Sequence, residues 1–495
     1  MKQKKTRSTT SLMLVLFLGV LMGAMDIAII GPALPSMKGD FGVTERDLAL
    51  LFSVYILFNL VGTPLMAKLS DLFGRRLVYI VDVSLFALGS IGVALAPGFG
   101  AIVAARAIQG FGAGGIFPVA SAVVGDVFPP EKRGGALGII GMVFGLAFII
   151  GPIVGGVLLP FGWRWLFWIN VPLALLVIVL GIGRLPHERR AGTGRFDAPG
   201  ALVLSVLLAA FAFGLSRIDS ANFLASLLSP ASGGLLLVAV VLAPIFVAIE
   251  RRAESPVVDI GLFANRQIAI TGVLNVLAGM VESGLVFLPL YAVTAFGATK
   301  SSASYLLLPL VLAMSIASPL VGRALDRLGP RSVVLFGAGT LSIGLLGLGF
   351  AAPFGLGGFI ATSALVGLGL SALLGAPIRY ILLHEAPPAQ RSVAQGLVNI
   401  QGGAGQLVAA AAIGGVTASI ADKATAFGMA FHILAIVSIV AFAFAFGIRG
   451  GRPAASQAAA AQGAAVPATE GAEVRATKGA EALATEDPRA ERSQL

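Results

Sequence analysis

The sequence predicts an all-α membrane protein of fourteen spans: two six-helix bundles related by a pseudo-two-fold axis, plus two inserted helices. Three observations predict it. First, of 495 residues 57% are hydrophobic and only 12% charged, with a mean hydropathy of +0.94. The apolar residues come in runs long enough to cross a bilayer, which takes about 20 residues per helix. A transmembrane β-barrel would instead show weakly alternating stretches of ~10 residues. Second, the 34 Lys and Arg are unevenly distributed: 21 fall in loops or at span ends on one side, six in loops on the other, one (Arg106) well inside a span and six after the last span. Loops on the cytoplasmic side carry such an excess. Third, the chain repeats itself. Asp71-x-x-Gly74-x-Arg76 recurs as Asp326-x-x-Gly329-x-Arg331, Pro129-Pro130-x-x-Arg133 as Pro387-Pro388-x-x-Arg391, and Gly138 as Gly396, at offsets of 255, 258 and 258.

The elements follow in order. Residues 1–10 carry Lys2, Lys4, Lys5 and Arg7 and form a cytoplasmic N-terminus. The run that follows is too long for a signal peptide, contains Asp26 and has no small-residue cleavage site after it, so it is the first span. The N-terminal bundle occupies 11–190, with spans at 11–32, 48–68, 77–96, 101–123, 136–159 and 165–184. Connectors and the two inserted spans (198–216 and 232–250) fill 191–267, with an interfacial helix expected over 251–267. The C-terminal bundle occupies 268–449, with spans at 268–292, 302–322, 332–352, 356–380, 394–419 and 427–448. Spans 1–6 thus match spans 9–14, and the even count puts both termini in the cytoplasm. Residues 450–495 are poor in large apolar side chains and are expected to be a disordered cytoplasmic tail.

Two acids stand in apolar runs at repeat-related places: Gly23-x-x-Asp26 and Gly279-x-x-Glu282, 256 residues apart. An ionisable group at membrane depth is expensive to keep and marks a functional site by default. Arg106, in span 4, lies at a depth similar to Asp26. It either pairs with Asp26, or snorkels outward or bonds backbone carbonyls. A neighbouring cation favours the charged form of a carboxyl, whereas burial favours the neutral one. Glu282 has no arginine at the repeat position of Arg106, so it is the expected proton-exchanging group, with Asp26 its partner or a cation site. The alternative for either acid is a purely structural pairing. Asn275 shares a helical face with Glu282, and Tyr55 with Asn59. They are candidates for polar contacts to a substrate in an otherwise apolar cavity, or for interhelical hydrogen bonds. Asp82 is expected to pair with a loop arginine. Gly145, Gly151, Pro152, Gly155 and Gly156 give span 5 a bendable, closely packing surface.

The loop Ala67-Lys68-Leu69-Ser70-Asp71-Leu72-Phe73-Gly74-Arg75-Arg76 can pin neighbouring helix ends through its acid, turn glycine and arginines. It resembles the loop 2–3 signature of the major facilitator superfamily. Arg106-Ala107-Ile108-Gln109-Gly110-Phe111-Gly112-Ala113-Gly114 is similar to that superfamily's span 4 motif, and Gly151-Pro152-Ile153-Val154-Gly155-Gly156 to its antiporter motif in span 5. Trp163-Arg164-Trp165-Leu166-Phe167-Trp168-Ile169-Asn170-Val171-Pro172 is similar to the entry to span 6 in fourteen-span drug:proton antiporters of the QacA/EmrB type. There are departures. Ala67 stands for a usual glycine and Leu72 for a usual arginine, and the first-span motif lacks its threonine and asparagine (Asp26-Ile27-Ala28-Ile29-Ile30-Gly31-Pro32-Ala33-Leu34-Pro35).

The resemblance implies the major facilitator fold, alternating access and proton-coupled efflux of small amphipathic, cationic compounds. It implies a multi-pass protein of the plasma (inner) membrane, acting as a monomer on protons and a small-molecule substrate within the lipid bilayer. It gives Arg106 a part in proton coupling, and Gly151, Pro152, Gly155 and Gly156 control of leak. Asp71, Gly74, Arg75, Arg76, Asp326 and Arg331 become conformational gating residues. The same fold could export a lipid or a metabolite, or serve as a non-transporting sensor.

Other classes are disfavoured by composition. The chain has no cysteine and only three scattered histidines (His187, His384, His432), so no metal site or cofactor is expected. Gly110-x-Gly112-x-x-Gly115 matches a dinucleotide fingerprint, but it lies within an apolar helix with no preceding strand. There is no Walker A sequence, no paired-acid prenyltransferase motif and no basic stripe interleaved with aromatics, so neither an enzyme nor a nucleic-acid partner is expected.

Overall fold

The computed structural model describes residues 9–186, 197–218, 222–254, 256–374, 376–387 and 391–450. The 450–495 tail beyond its first residue, residues 187–196 of the connector, Pro388, and the side chains of Arg133 and Arg391 lie outside them. The N-terminal half comprises α1 (Thr9–Phe41), α2 (Glu45–Phe73), α3 (Arg75–Leu95), α4 (Phe99–Val127), α5 (Pro130–Leu158), the short α6 (Trp165–Trp168) and α7 (Asn170–Arg184). The insertion holds α8 (Ala198–Ser216), the short α9 (Phe223–Leu227) and α10 (Gly233–Glu250). The C-terminal half comprises α11 (Arg266–Leu285), α12 (Leu288–Phe296), α13 (Lys300–Tyr305), α14 (Leu308–Leu328), α15 (Pro330–Gly349), α16 (Gly355–Leu373), α17 (Ala376–Glu385), α18 (Arg391–Ser419) and α19 (Lys423–Ala445).

Thirteen segments among the described residues are long and apolar enough to cross a bilayer. The predicted span at 136–159 falls on α5, whose described apolar part is the shorter Gly145–Phe161. Four predicted spans are broken helices, and one cause accounts for all four. A proline cannot donate to the carbonyl four residues earlier and its ring crowds that turn. Pro172, Pro289, Pro309 and Pro377 each sit four residues after the last residue of a helix: Trp168, Leu285, Tyr305 and Leu373. Over 251–267 the chain makes turns and a short 3-10 helix (Ile260–Ala264) rather than the expected interfacial helix. Pro256 and Gly261 oppose a longer one.

Helices at repeat-related positions pack in the same pairs: α1 on α5 and α11 on α18, α2 on α4 and α14 on α16, α3 on α7 and α15 on α19. The two loop glycines of the repeat share a conformation, with φ of +96° at Gly74 and +79° at Gly329. Each ends one helix and starts the next, donating its N–H to Ser70 and Leu325 respectively. Only glycine takes that backbone without a steric penalty. The halves meet where α2 lies along α18 and where α1 crosses the α11–α12 break. α8 packs against both α2 and α18, so the insertion spans the seam between halves, while α10 packs chiefly on α8.

Helix α4 is sandwiched between α2 and α3, and its glycines explain how. Gly110 and Gly114 face the α2 backbone at Tyr55 and Asn59; Gly112 and Gly115 face α3 at Asp82 and Phe86. Small residues let backbones approach this closely. The dinucleotide-like spacing is therefore a packing pattern on two faces of one helix.

Candidate functional site

Two polar centres lie within the helical bundle. The first is inside the N-terminal half. The Arg106 Nη1 donates to Asp26 Oδ2 at 2.6 Å and to Gln109 Oε1 at 2.8 Å. Gln109 Nε2 donates to Asp26 Oδ1 at 2.8 Å and to Ser90 Oγ at 2.7 Å. Asn170 Nδ2 reaches both Asp26 Oδ1 and Ser90 Oγ at 3.3 Å. The Tyr55 ring lies against the guanidinium, 4.1 Å from centroid to Cζ. Asp26, Ser90, Arg106, Gln109 and Asn170 are each 0% exposed. Five helices (α1, α2, α3, α4 and α7) thus converge on one ion pair. A buried pair is tolerable only when further hydrogen bonds satisfy its remaining lone pairs and protons, and Gln109 and Asn170 supply those to Asp26. Arg106 Nε and Nη2 and the Tyr55 hydroxyl keep no partner.

The second centre is Glu282 on α11, half-buried, with Gln406 Nε2 of α18 donating to its Oε2 at 2.8 Å. Both line a small cavity of about 40 Å³ between the halves, otherwise walled by apolar groups such as Ile27, Phe52, Phe148, Leu310 and Val311. Phe148 and Gln406 are 258 residues apart, the offset of the nearby repeat landmarks, and both face this cavity. Gly31 and Pro152 belong to its wall.

Of the residues singled out in the sequence, Asp26, Arg106 and Tyr55 come together, away from the cavity, and only Glu282 among the substrate-contact candidates lines it. Asn275 is buried and donates to Val398 O at 2.6 Å, an interhelical bond. Asn59 is half-buried on α2, where its carbonyl accepts from Thr63. Asp82 corrects an expectation: it meets no loop arginine, is 0% exposed, and neither carboxylate oxygen has a partner. The loop arginine has other partners. Arg75 pairs with Asp71 at 2.6 Å and with Asp126 at the end of α4 at 3.1 Å, pinning α2, α3 and α4 together. Arg76 is half-buried beside it. In the second half Asp326 is exposed, and Arg331 lies 5.9 Å from the Phe446 ring centroid.

On α5, a Cβ at Gly151 would overlap Ala28 and one at Gly155 would overlap Pro32 of α1, and Gly156 abuts Tyr305. The Ser304 hydroxyl donates to Pro152 O at 2.8 Å and the Ser301 hydroxyl to Gly156 O at 2.6 Å, joining the halves. A third inter-half contact is ionic. Lys423 reaches Glu45 at 3.2 Å, and Lys38 caps the same carboxylate. All three lie on the face opposite the Asp71–Arg76 loop. Ser90, Gln109, Asn170, Gln406 and the Glu45–Lys423 pair carry no role in the sequence reading. The three-residue step from Arg106 to Gln109, one face of one helix, is the signal that points to the first centre.

Such a chain, two packed helical halves with a cavity at their seam, has the build of a membrane transporter. A family profile described as Major Facilitator Superfamily matches residues 16–281 and again 268–485. The chain belongs to the major facilitator superfamily and is a multi-pass membrane transporter, not an enzyme. It is 32% identical over 409 residues to the uncharacterised transporter YfiU of Bacillus subtilis, covering 81% of this chain and 77% of that one. Over 409 residues it is 31% identical to multidrug resistance protein Stp of Mycobacterium tuberculosis (81% and 74% covered). Over 354 residues it is 31% identical to multidrug resistance protein 3 of B. subtilis (70% and 68% covered). The fold is that of the partially occluded, inward-open xylose transporter XylE of E. coli, with a TM-score of 0.63 at 18% identity over 90% of this chain and 98% of that one.

Proposed function

We propose that this transporter exports small amphipathic cations in exchange for protons, as a fourteen-span member of the QacA/EmrB-type drug:proton antiporters. The observation that carries the proposal is Glu282: one half-buried carboxyl, oriented by Gln406, in a cavity that is otherwise apolar. An apolar wall with a single placed charge suits a lipophilic cation. A proton and a cation compete for the same carboxylate, which yields exchange without further machinery. When the cavity faces outward Glu282 takes a proton; facing inward it releases the proton and accepts the cargo. The membrane potential assists if net positive charge moves inward.

In this assignment the basic loop face is cytoplasmic, α5 completes the fourteen spans, and both termini lie inside a plasma membrane. The inter-half contacts at Glu45–Lys423, Ser301–Gly156 and Ser304–Pro152 then close the outer side. Asp26 and Arg106 act as a fixed charge pair that positions α1 and α4, and as a partner to proton coupling rather than as a contact for the substrate.

The test is exchange in proteoliposomes, with tetraphenylphosphonium as the cation and a trapped dye reporting protons. Glu282→Gln is expected to abolish proton-driven export while the protein remains folded. Wild-type transport of neutral amphipaths or lipid but of no cation would favour the runner-up, export of a lipid or metabolite. Proton-coupled exchange that is normal in Glu282→Gln would remove Glu282 from the mechanism.

A further inference from the structure

Asp82 is a buried ionisable group that neither centre uses, and both of its carboxylate oxygens lack a partner. It lies on α3, about 10 Å of helix rise from Arg75 at the basic face. Its side chain fills a notch in α4: a methyl group on Gly115 would overlap the carboxyl, and Gly112 lets the two backbones close around it. Nothing in the seam binds it, since both oxygens are without a partner and the residue is 0% exposed. Among the described residues no ion pair reaches Asp82, and the charged groups on the helices packed against α3 lie elsewhere. On α2, Lys68 is in the last two turns and Asp71 is paired with Arg75. Arg164, just before α6, pairs with Asp40 and lies over Trp163. On α4, Arg106 is paired with Asp26 and Asp126 with Arg75. On α7 the basic group is Arg184, in the last turn. On α1 Asp26 is taken, and Tyr79, one turn from Asp82 on α3, points its hydroxyl at Leu16 O (3.5 Å).

A lone ionised carboxylate in such a place is the costliest arrangement available, and a buried acid neutralises instead. The seam therefore suits the protonated acid. Even so, neither oxygen receives a hydrogen bond in this state, and a native polar group left so calls for a reason beyond packing. A leucine would fill the notch without that cost. The arrangement makes sense if Asp82 meets water in another state of the cycle. The seam it occupies is the one whose far end carries Ser90 and Gln109 of the Asp26–Arg106 cluster, so a shift of α4 against α3 would reach both.

We propose that Asp82 is a second proton-exchanging carboxyl of the transport cycle, protonated while the α3–α4 seam is shut and ionised when the seam loosens toward the basic face. On loosening, the carboxyl O–H bond breaks, the proton passes to water, and the carboxylate gains hydrogen bonds from solvent. Closing reverses each step. The inference rests on the proton-coupled reading above and adds a site to it.

The test counts protons moved per tetraphenylphosphonium in proteoliposomes of the full-length protein. In Asp82→Asn, cation exchange persists but each cation moves one proton fewer than in the wild type. An unchanged ratio overturns the assignment of Asp82 and leaves the proton-coupled reading standing; a wild type that moves no protons overturns both. If Asp82→Asn fails to fold, Gly115→Ala serves, because its methyl displaces the carboxyl from the notch while keeping the acid. It is expected to change the proton concentration for half-maximal exchange by roughly tenfold, the equivalent of one pKa unit. A pH profile identical to the wild type overturns the proposal.

Discussion

Glu45 at the start of α2 and Lys423 at the start of α19 form an ion pair at 3.2 Å that joins the two halves. Glu45 is 2% exposed and also holds Lys38, and the Lys423 ammonium donates to Thr417 O and Ile420 O. The pair is therefore anchored on both sides. Lys423→Ala is expected to favour opening of that face by roughly tenfold, about 1.4 kcal/mol, less than a fully buried pair would give because Lys423 is part-exposed. The chain has no cysteine, so Val311→Cys in the cavity wall offers a clean reporter. Its labelling by an impermeant maleimide from that face should rise in Lys423→Ala; an equal rate in both backgrounds would refute the latch.

Removing Arg106 leaves Asp26 without its counter-charge among five helices. Breaking a buried pair from one side costs about 3–5 kcal/mol, so Arg106→Ala should lower the unfolding midpoint in detergent sharply. Asp26→Asn with Arg106→Gln removes both charges and keeps hydrogen-bonding groups, and should recover most of the loss. If the double variant is as unstable as Arg106→Ala, the ion pair does not account for the stability of this centre.

Gly31 of α1 crosses the α11–α12 break so closely that an added Cβ would lie 2.7 Å from Val286 O. Backbone cannot yield there as a side-chain tip could, so Gly31→Ala should push the halves apart at the cavity. Transport is expected to drop at least about tenfold, a cost of ~1.4 kcal/mol or more at the contact, with both halves still folded by circular dichroism. Wild-type transport by Gly31→Ala would show that the halves do not approach this closely during the cycle.

Gly74 and Gly329 test the repeat. Each has positive φ with extended ψ, a region that costs a residue bearing Cβ about 1–3 kcal/mol. Substituting alanine at either should destabilise by a similar amount in chemical unfolding. A large effect at Gly74 with none at Gly329 would mean that the second loop relaxes into another conformation.

The all-helical, many-span character and the Asp26–Arg106 pair were legible because each rests on a strong local rule: apolar length and the cost of unpaired charge at depth. The helix breaks were legible in principle from Pro172, Pro289, Pro309 and Pro377, yet Pro32, Pro64, Pro118 and Pro152 lie inside unbroken helices. Local sequence does not say which carbonyl a neighbouring helix can rescue. Asp82 was misplaced because charge counting offers the nearest arginine, whereas the glycines of α4 draw the side chain into a seam. The division between a sealed Asp26 and a cavity-lining Glu282 depends on which faces of α1 and α11 turn toward the other half, and two matching sequence motifs cannot disclose that difference.

The proline breaks are unequally shared: three fall in the C-terminal half and one in the N-terminal half. One half is therefore a jointed jaw working against a stiffer anvil. Deformation during the switch should concentrate at residues 286–287, 306–307 and Leu374, where deuterium uptake should outpace that of α1, α2 and α4. Uniform exchange across both halves would mean that the joints carry no motion.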